Sequence, residues 1–276
     1  MTGSAPRPPV AHATRPSASA AASAFAATIS SSGASSSAPP ASALPDGRRG
    51  ARTLVVRDLT CTRGGRVLFR HFDLTLEPGR LVWLRAANGF GKTTLLRRLA
   101  GLAVADRGSI EWVGGPSGAP GVVVYLAHAN ALKDDLTVVE SLRHLLRLHG
   151  VAATDAAVGD AIGRFGLWSR RHAPVRTLSQ GQRRRVALAR LLFSDAAATW
   201  LLDEPFDALD ADGIDLVATL LVAHAERGGN AVFTSHVAPD VASGRLSIVR
   251  LDEPSSAAVR GRPAAPAGAV PASPGA

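Results

Sequence analysis

The fold is indicated by the segment Leu81-Val82-Trp83-Leu84-Arg85-Ala86-Ala87-Asn88-Gly89-Phe90-Gly91-Lys92-Thr93-Thr94. Its first five residues form a short apolar run, which is typical of a buried strand. A glycine-containing loop follows, and Thr93–Gly101 has the spacing of a helix. Glycines let the loop turn and aim its N–H groups inward, and the helix N-terminus adds partial positive charge. The segment therefore predicts a phosphate-binding loop, although a glycine-rich turn before an ordinary helix has the same pattern.

Lysine is rare in this chain, which makes its use in the loop informative. Of the 31 lysine and arginine residues, only Lys92 and Lys133 are lysines. A compact ammonium fits inside such a loop, whereas a planar guanidinium does not. We expect Lys92 to reach the terminal phosphates of a nucleotide and Thr93 to place its hydroxyl on Mg²⁺. The predicted nucleotide-binding residues of the loop are Ala86, Ala87, Asn88, Gly89, Phe90, Gly91, Lys92, Thr93 and Thr94.

A second apolar run ends in two carboxylates, in the sequence Thr199-Trp200-Leu201-Leu202-Asp203-Glu204-Pro205. Asp203, at the carboxyl end of a predicted strand, can hold Mg²⁺ directly or through water. Glu204 can polarise an attacking water as a general base. An acidic turn after a core strand is an equally open interpretation of this segment by itself.

The sequence Leu178-Ser179-Gln180-Gly181-Gln182 opens a predicted helix that is rich in arginine. Ser179 could simply be the N-cap of that helix. A hydroxyl, a glycine amide and a helix N-terminus also make a second anion site. If both helix starts face outward, this site cannot reach a phosphate held by its own chain, and a second copy of the domain is required.

His236 follows another predicted strand, in Thr234-Ser235-His236. A lone histidine is more often structural. At the carboxyl end of a parallel strand, however, it can contact the γ-phosphate and orient a water molecule. We therefore predict catalytic roles for Lys92, Glu204 and His236.

Strand and helix signals alternate along the middle of the chain, which favours a mostly parallel sheet covered on both faces. Predicted strands lie at 54–58, 66–77, 81–85, 109–113, 122–126, 200–202, 231–234 and 247–251, and the first two are expected to form an antiparallel edge. Predicted helices lie at 93–101, 138–148, 155–165, 182–193 and 211–226. Residues 1–50 and 254–276 are rich in Ala, Pro and small residues, and both are predicted to be disordered tails.

Charge, cysteine content and hydropathy limit the classes of protein to which this chain can belong. The net charge is +9 over 276 residues, which can indicate a nucleic-acid or anionic-membrane partner. Compositional bias is the preferred explanation, since no long basic stripe stands out and the densest run, Arg183 to Arg185, falls on a predicted helix face. The single cysteine, Cys61, excludes a disulfide framework and fits a cytosolic compartment. No apolar run reaches the roughly 18 residues of a membrane helix, so another chain would have to supply any passage.

Together, the loop lysine, Leu-Ser-x-Gly-Gln, hydrophobic-Asp-Glu-Pro, Asp207-Ala208-Leu209-Asp210 and the late histidine stand in an order that resembles an ABC ATPase nucleotide-binding domain. The resemblance covers 51–253 and implies a P-loop NTPase α/β fold with a helical subdomain at about 130–182. It implies ATP and Mg²⁺ as ligands and a homodimer. In that family Ser179 and Gly181 of one copy complete the ATP site of the other, and Asp207 and Asp210 lie in the loop between the two sites.

A narrower resemblance is to the ATP-binding subunits of the cytochrome c maturation haem exporter. It is carried by Arg63 to Phe69, by Tyr125 to His128 with Lys133, by Pro174 to Phe206, and by His224 to Gly229. This implies an ATP hydrolase on the cytoplasmic face of the inner membrane. Its partners would be membrane permease subunits of a cytochrome c maturation complex, and no nucleic acid is expected.

Four positions depart from the wider ABC pattern. Arg63 stands where an aromatic residue usually stacks on adenine, and its planar face can still stack there. His128 stands where a glutamine usually bridges to the transport partner. Ala86 and Phe90 replace smaller or more flexible residues in the loop and could slow hydrolysis. Three alternatives stay open: an ATPase for another exported substrate, an ABC protein acting on DNA or RNA, and a nucleotide-binding module without turnover.

Overall fold

The computed structural model describes residues 52–114, 122–241, 244–251 and 256–259. The N-terminal segment predicted to be a disordered tail, 1–50, lies outside the described residues. Two sheets and five α-helices make up the described part of the chain. The strands are β1 (Thr53–Arg63), β2 (Arg66–Leu76), β3 (Leu81–Arg85), β4 (Arg107–Val113), β5 (Val123–Leu126), β6 (Thr199–Leu202), β7 (Asn230–Thr234), β8 (Leu246–Arg250) and β9 (Ser256–Val259).

The central sheet is parallel and has the strand order β5-β6-β7-β3-β8. All of β6 and β7, and β3 up to Leu84, are buried. Strands covered on both faces need apolar side chains on both, which explains why these segments are continuous apolar runs rather than alternating ones. The predicted mostly parallel core is confirmed.

The second sheet has the order β4-β1-β2-β9 and is antiparallel except for the β2–β9 pair. Gly64 and Gly65 connect β1 to β2 with φ angles of 59° and 76°, which suits a tight hairpin turn. Strand β1 is longer than the predicted 54–58. Its pairing with β2 shifts register between Val56 and Leu59 and again on either side of Cys61. These irregularities break the alternation of apolar residues that strand prediction relies on.

The prediction of a disordered tail from residue 254 is wrong for four residues. Ser256–Val259 forms β9 and pairs in parallel with β2, with Asp73 opposite Ser256 and Leu76 opposite Val259. The Ala/Pro/Gly-rich composition led to the tail prediction, but backbone pairing to an existing strand needs no large side chains. The rest of 254–276 lies outside the described residues.

The helices are α1 (Lys92–Leu99), α2 (Val138–Leu148), α3 (Asp155–Arg164), α4 (Gln180–Ala189) and α5 (Ala211–Glu226). The helix predicted at 182–193 starts two residues earlier, and its last turn, Arg190–Phe193, is a 3₁₀-helix. Helices α2 and α3 each begin at a threonine N-cap, Thr137 and Thr154. Between β5 and β6 the described elements are all helical, apart from one isolated bridge, Thr137 to Pro174. In the part of the chain that the structure describes, no helix is long and apolar enough to span a bilayer.

Candidate nucleotide site

Three neighbouring parallel strands deliver the candidate site to one edge of the central sheet. Strands β6, β7 and β3 lie side by side, so their carboxyl ends meet. The loop 86–91 follows β3, the pair Asp203 and Glu204 follows β6, and Ser235 and His236 follow β7. Ligands of open α/β sheets bind at this edge of the strands.

Lys92 is the first residue of α1 and folds back over the loop that precedes it. Its ammonium donates hydrogen bonds to the carbonyl of Ala86 at 2.9 Å and to the Asn88 side-chain oxygen at 3.4 Å. The ammonium is therefore held at the mouth of the loop, close to the helix N-terminus that would receive a phosphate.

Asp203 is almost fully buried, and both of its carboxylate oxygens accept hydrogen bonds. Thr93 donates to one oxygen at 2.8 Å, and Thr234 donates to the other at 2.9 Å. A buried carboxylate needs such partners, because an unpaired one would be costly. The hydroxyl of Thr93 beside the carboxylate of Asp203 is also the kind of oxygen pair that Mg²⁺ prefers, so these residues fit the ion.

Glu204 is positioned by its backbone and by His236. It has a φ of 50°, and its N–H donates to the hydroxyl of Thr234 at 2.8 Å. The backbone N–H of His236 donates to one carboxylate oxygen at 3.1 Å, and the His236 Nε2 lies 3.2 Å from the other. His236, predicted to face the γ-phosphate, therefore lies directly against the carboxylate of Glu204.

A groove of about 290 Å³ runs over these groups. It is lined by Arg63, Leu68, Asn88, Gly89, Gly91, Lys92, Thr93, Thr94, His128, Asp203, Glu204 and His236. Ala86 and Ala87 line an adjoining cavity with Lys92 and His236. Phe90 is exposed at the loop tip and lines neither. The structure thus brings Arg63, at the end of β1, and His128, on the loop after β5, to the same groove as the phosphate loop.

The Leu-Ser-x-Gly-Gln element lies elsewhere. Ser179 is the N-cap of α4: its hydroxyl accepts from the N–H of Gln182 at 3.2 Å, and the Gln182 side chain accepts from the N–H of Ser179 at 3.1 Å. Residues 179–182 line a separate cavity with Ala208 and Asp210, which shares no lining residue with the groove. Leu178, the first residue of the element, is buried. Within one chain, this element and the phosphate loop do not meet.

The segment 207–210 contacts the start of α4. The carbonyl of Ala208 lies so close to Gly181 that a Cβ there would overlap it. Asp210 caps α5 by accepting from the N–H of Gly213 at 3.0 Å and pairs with the guanidinium of Arg185. The hydrogen bond from Arg185, reinforced by that from Gly213, lowers the pKa of Asp210 below its usual value. Asp207 is exposed next to Glu204, to whose carbonyl its N–H donates at 3.1 Å.

Sequence reasoning missed three residues of this region: Leu68, Thr234 and Arg184. Thr234 contacts both Asp203 and Glu204, and a polar residue ending an apolar strand could have indicated it. Leu68 lines the groove from β2. Arg184, which the sequence places with Arg183 and Arg185 on a predicted helix face, is only 3% exposed. Burial lowers the pKa of Arg184 to about 10, which still leaves it charged at neutral pH.

Comparison with known proteins agrees with this geometry. The family model described as ABC transporter matches residues 69–207, half of the chain. The chain belongs to the ABC transporter family. The matched range runs from β2 through the phosphate loop and α4 to the Asp203–Glu204 pair.

Curated relatives narrow the position of this ABC domain within its family. It is 44% identical over 194 residues to the cytochrome c biogenesis ATP-binding export protein CcmA of Albidiferax ferrireducens, covering 68% of this chain and 92% of the relative. It is 45% identical over 193 residues to the protein of the same name from Methylococcus capsulatus, covering 68% and 93%. The protein of that name from Vibrio cholerae is 37% identical over 206 residues, covering 73% and 99%.

A solved structure has the same architecture. The putative ABC transporter ATP-binding protein of Pyrococcus furiosus superposes with a TM-score of 0.60 at 26% identity, covering 72% of this chain and 97% of that one. The ABC fold expected from the sequence is confirmed.

Proposed function

We propose that this chain is the ATP-hydrolysing subunit of an ABC export complex that powers haem export or delivery for c-type cytochrome maturation. The observation that supports hydrolysis is the convergence of Lys92, Thr93, Asp203, Glu204 and His236 in one groove. The cytochrome c assignment rests on the names of relatives that are 37–45% identical to the chain.

In the proposed reaction, the loop amides, the N-terminus of α1 and Lys92 bind the phosphates of ATP. The carboxylate of Glu204 acts as the general base that polarises the attacking water. His236 fixes the position of this carboxylate, and Thr234 fixes the backbone that carries it. Thr93 and Asp203 would hold Mg²⁺. When bound, this ion neutralises charge on the phosphate oxygens. Arg63 is suited to stack its planar face on the adenine.

The site needs a second copy of the chain. The Ser179–Gly181 element lines its own cavity and has no residue in common with the groove of the same chain. In a homodimer, each copy presents its helix start to the γ-phosphate held by the other. The N–H of Asp207 bonds to the carbonyl of Glu204, and Asp210 pairs with Arg185 on α4. The segment 207–210 is therefore suited to transmit a structural change from one ATP site to the other.

The proposed partners are membrane permease subunits, and the proposed location is the cytoplasmic face of the inner membrane. His128, exposed on the loop after β5, lines the groove and is the contact proposed to couple ATP to those subunits. Haem itself need not touch this chain.

The hydrolysis proposal is tested with Glu204→Gln, which keeps the side-chain shape but removes the general base. We expect turnover to fall on the order of 10²–10⁴-fold. Nucleotide affinity, measured with a fluorescent ATP analogue, should stay near that of the wild type. Lys92→Ala is the contrasting variant, because it should lose affinity as well. Near-normal turnover in Glu204→Gln would remove Glu204 from the mechanism.

The substrate proposal is tested in cells. Deleting the gene should abolish covalent c-type cytochromes, and the wild-type gene should restore them while Lys92→Ala should not. Normal cytochromes in the deletion strain would point to an ABC exporter for another substrate and would leave the ATPase proposal standing.

A further inference from the structure

Arg184 bridges two loops that the proposed mechanism uses separately. One terminal nitrogen, Nη1, donates to the carbonyl of Ala127 at 3.0 Å, to the carbonyl of His128 at 3.4 Å and to the side-chain oxygen of Asn130 at 2.9 Å. The other, Nη2, donates to the carbonyls of Asp203 at 2.6 Å and Glu204 at 2.8 Å. A planar guanidinium can serve two sets of acceptors on its two sides, whereas an ammonium concentrates its donors at one point.

The acceptors of Arg184 distinguish it from an ordinary buried ion pair. A charge this deeply buried is retained only when it is well hydrogen-bonded, and removing its partners is costly. Four of its five acceptors are backbone carbonyls and the fifth is an amide oxygen. The cation therefore fixes the path of the main chain on both sides.

Both backbone polar groups of Glu204, which belong to two consecutive peptide units, are hydrogen-bonded. Its N–H bonds to Thr234 on β7, and its carbonyl bonds to Arg184 on α4. The φ of 50° at Glu204 is a conformation that non-glycine residues adopt only when their surroundings impose it. A shift of Arg184 therefore changes the aim of the Glu204 carboxylate.

We propose that Arg184 is a positioning residue that couples the loop 127–130 to Glu204. Displacement of that loop by a partner, or of Glu204 by nucleotide, shifts the shared guanidinium and thereby the other segment. The inference rests on the ATP hydrolysis proposed above. It adds a residue, on the helix that begins at Ser179, through which the coupling loop controls the general base.

Arg190 provides a matched control. It lies in the 3₁₀ turn that continues α4, it is 8% exposed, and burial lowers its pKa to about 10, as for Arg184. It bonds to the carbonyl of Tyr125 and to the Nε2 of His149, and not to the loop 127–130 or to Glu204. Loss of either arginine affects packing and burial, but only Arg184 connects the two loops.

The first experiment compares Arg184→Lys with Arg190→Lys in the purified full chain. We expect both to lower the melting temperature. Only Arg184→Lys should lower kcat, on the order of ten- to a hundredfold, as small misplacements of catalytic groups do, with the KM for ATP unchanged. Equal loss of kcat in both variants, or none in Arg184→Lys, would overturn the inference.

The second experiment measures the coupling itself by hydrogen–deuterium exchange. Binding of a non-hydrolysable ATP analogue should change exchange in peptides covering 127–130 in the wild type. In Arg184→Lys the loop should lose that response while peptides covering 88–93 keep it. Asn130→Ala, which removes one acceptor and leaves the arginine in place, should weaken the response in the same direction. A loop that still responds in Arg184→Lys, or never responds in the wild type, contradicts the coupling.

The two proposals fail in different ways. If the wild type binds ATP but does not hydrolyse it, the hydrolysis proposal fails while the exchange experiment still decides the coupling. If the wild type hydrolyses ATP and Arg184→Lys does so equally well, only the role of Arg184 is lost.

Discussion

Two glycines of the phosphate loop have similar backbone conformations but different surroundings. Gly91 has a φ of 93°, and a Cβ built on it would lie 3.1 Å from Leu68 on β2. Gly89 has a φ of 82° and would meet nothing within 4 Å. Both positions disfavour a side chain by roughly 1–2 kcal/mol through backbone strain. Only at Gly91 does the absence of a side chain also allow the loop to lie close to Leu68 of the antiparallel sheet.

We therefore expect Gly91→Ala to weaken ATP binding and lower stability more than Gly89→Ala does. The backbone penalty is common to the two variants, so the difference isolates the contact between the loop and Leu68. Binding of a fluorescent ATP analogue and thermal unfolding of both proteins measure it. Equal effects would mean that backbone strain alone sets the loop's tolerance, with no contribution from the approach of β2.

The residues that sequence reasoning found share a property that Arg184 lacks. Asp203 and His236 each follow a short apolar run within two residues, and Lys92 opens the helix after the glycine-containing loop that follows another, so local pattern indicates all three. The carbonyls around Arg184 come from the segments that follow β5 and β6, which lie 57 and 19 residues away from it in the chain. A run of three arginines gives no local sign that the middle one faces inward.

At the scale of elements, the start of α4 combines two roles in the same residues, that of a helix cap and the proposed one of a phosphate-binding element. Ser179 is a good N-cap, and the same hydroxyl is proposed to contact a phosphate of another copy. Aspartate caps a helix about as well as serine and also suits the helix dipole. It would, however, place a negative charge against the phosphate.

Ser179→Asp should therefore keep the melting temperature of the wild type and lose ATP turnover by at least about tenfold through like-charge repulsion. Thr154→Asp is the matched control, because Thr154 caps α3 in the same way, accepting from the N–H of Ala157 at 3.2 Å. Thermal unfolding and ATP hydrolysis of both variants measure the difference. Full turnover in Ser179→Asp would reduce the element to a helix cap.

The sequence predicts less well the strands whose side-chain pattern does not indicate their pairing. Strand β1 extends past its predicted end because bulges near Leu59 and Cys61 absorb the break in alternation. Strand β9 is built from Ser256–Val259, whose small residues give no strand signal, and it exists through backbone pairing to β2. The buried strands of the central sheet were predicted closely, since their continuous apolar runs follow from cover on both faces, by helices on one and by α1 with the antiparallel sheet on the other.

At the scale of the whole molecule, the separation of the groove from the Ser179–Gly181 cavity determines how two copies must be arranged. If each copy completes the other's site, the dimer is symmetric and holds two composite sites. Each of these sites takes its phosphate loop from one copy and its α4 start from the other. If the α4 start acts within its own chain, each site instead draws all its residues from a single copy.

Mixing two inactive variants distinguishes these arrangements. A dimer of one Lys92→Ala copy and one Ser179→Asp copy would combine both lesions in one composite site and leave the other site intact. ATP turnover of the mixture should then exceed that of either variant alone. If sites formed within single chains, each site would keep one lesion and mixing would restore nothing. Mixing Lys92→Ala with Glu204→Gln is the control: both residues come from the same copy's groove, so every composite site keeps one lesion and activity should stay low.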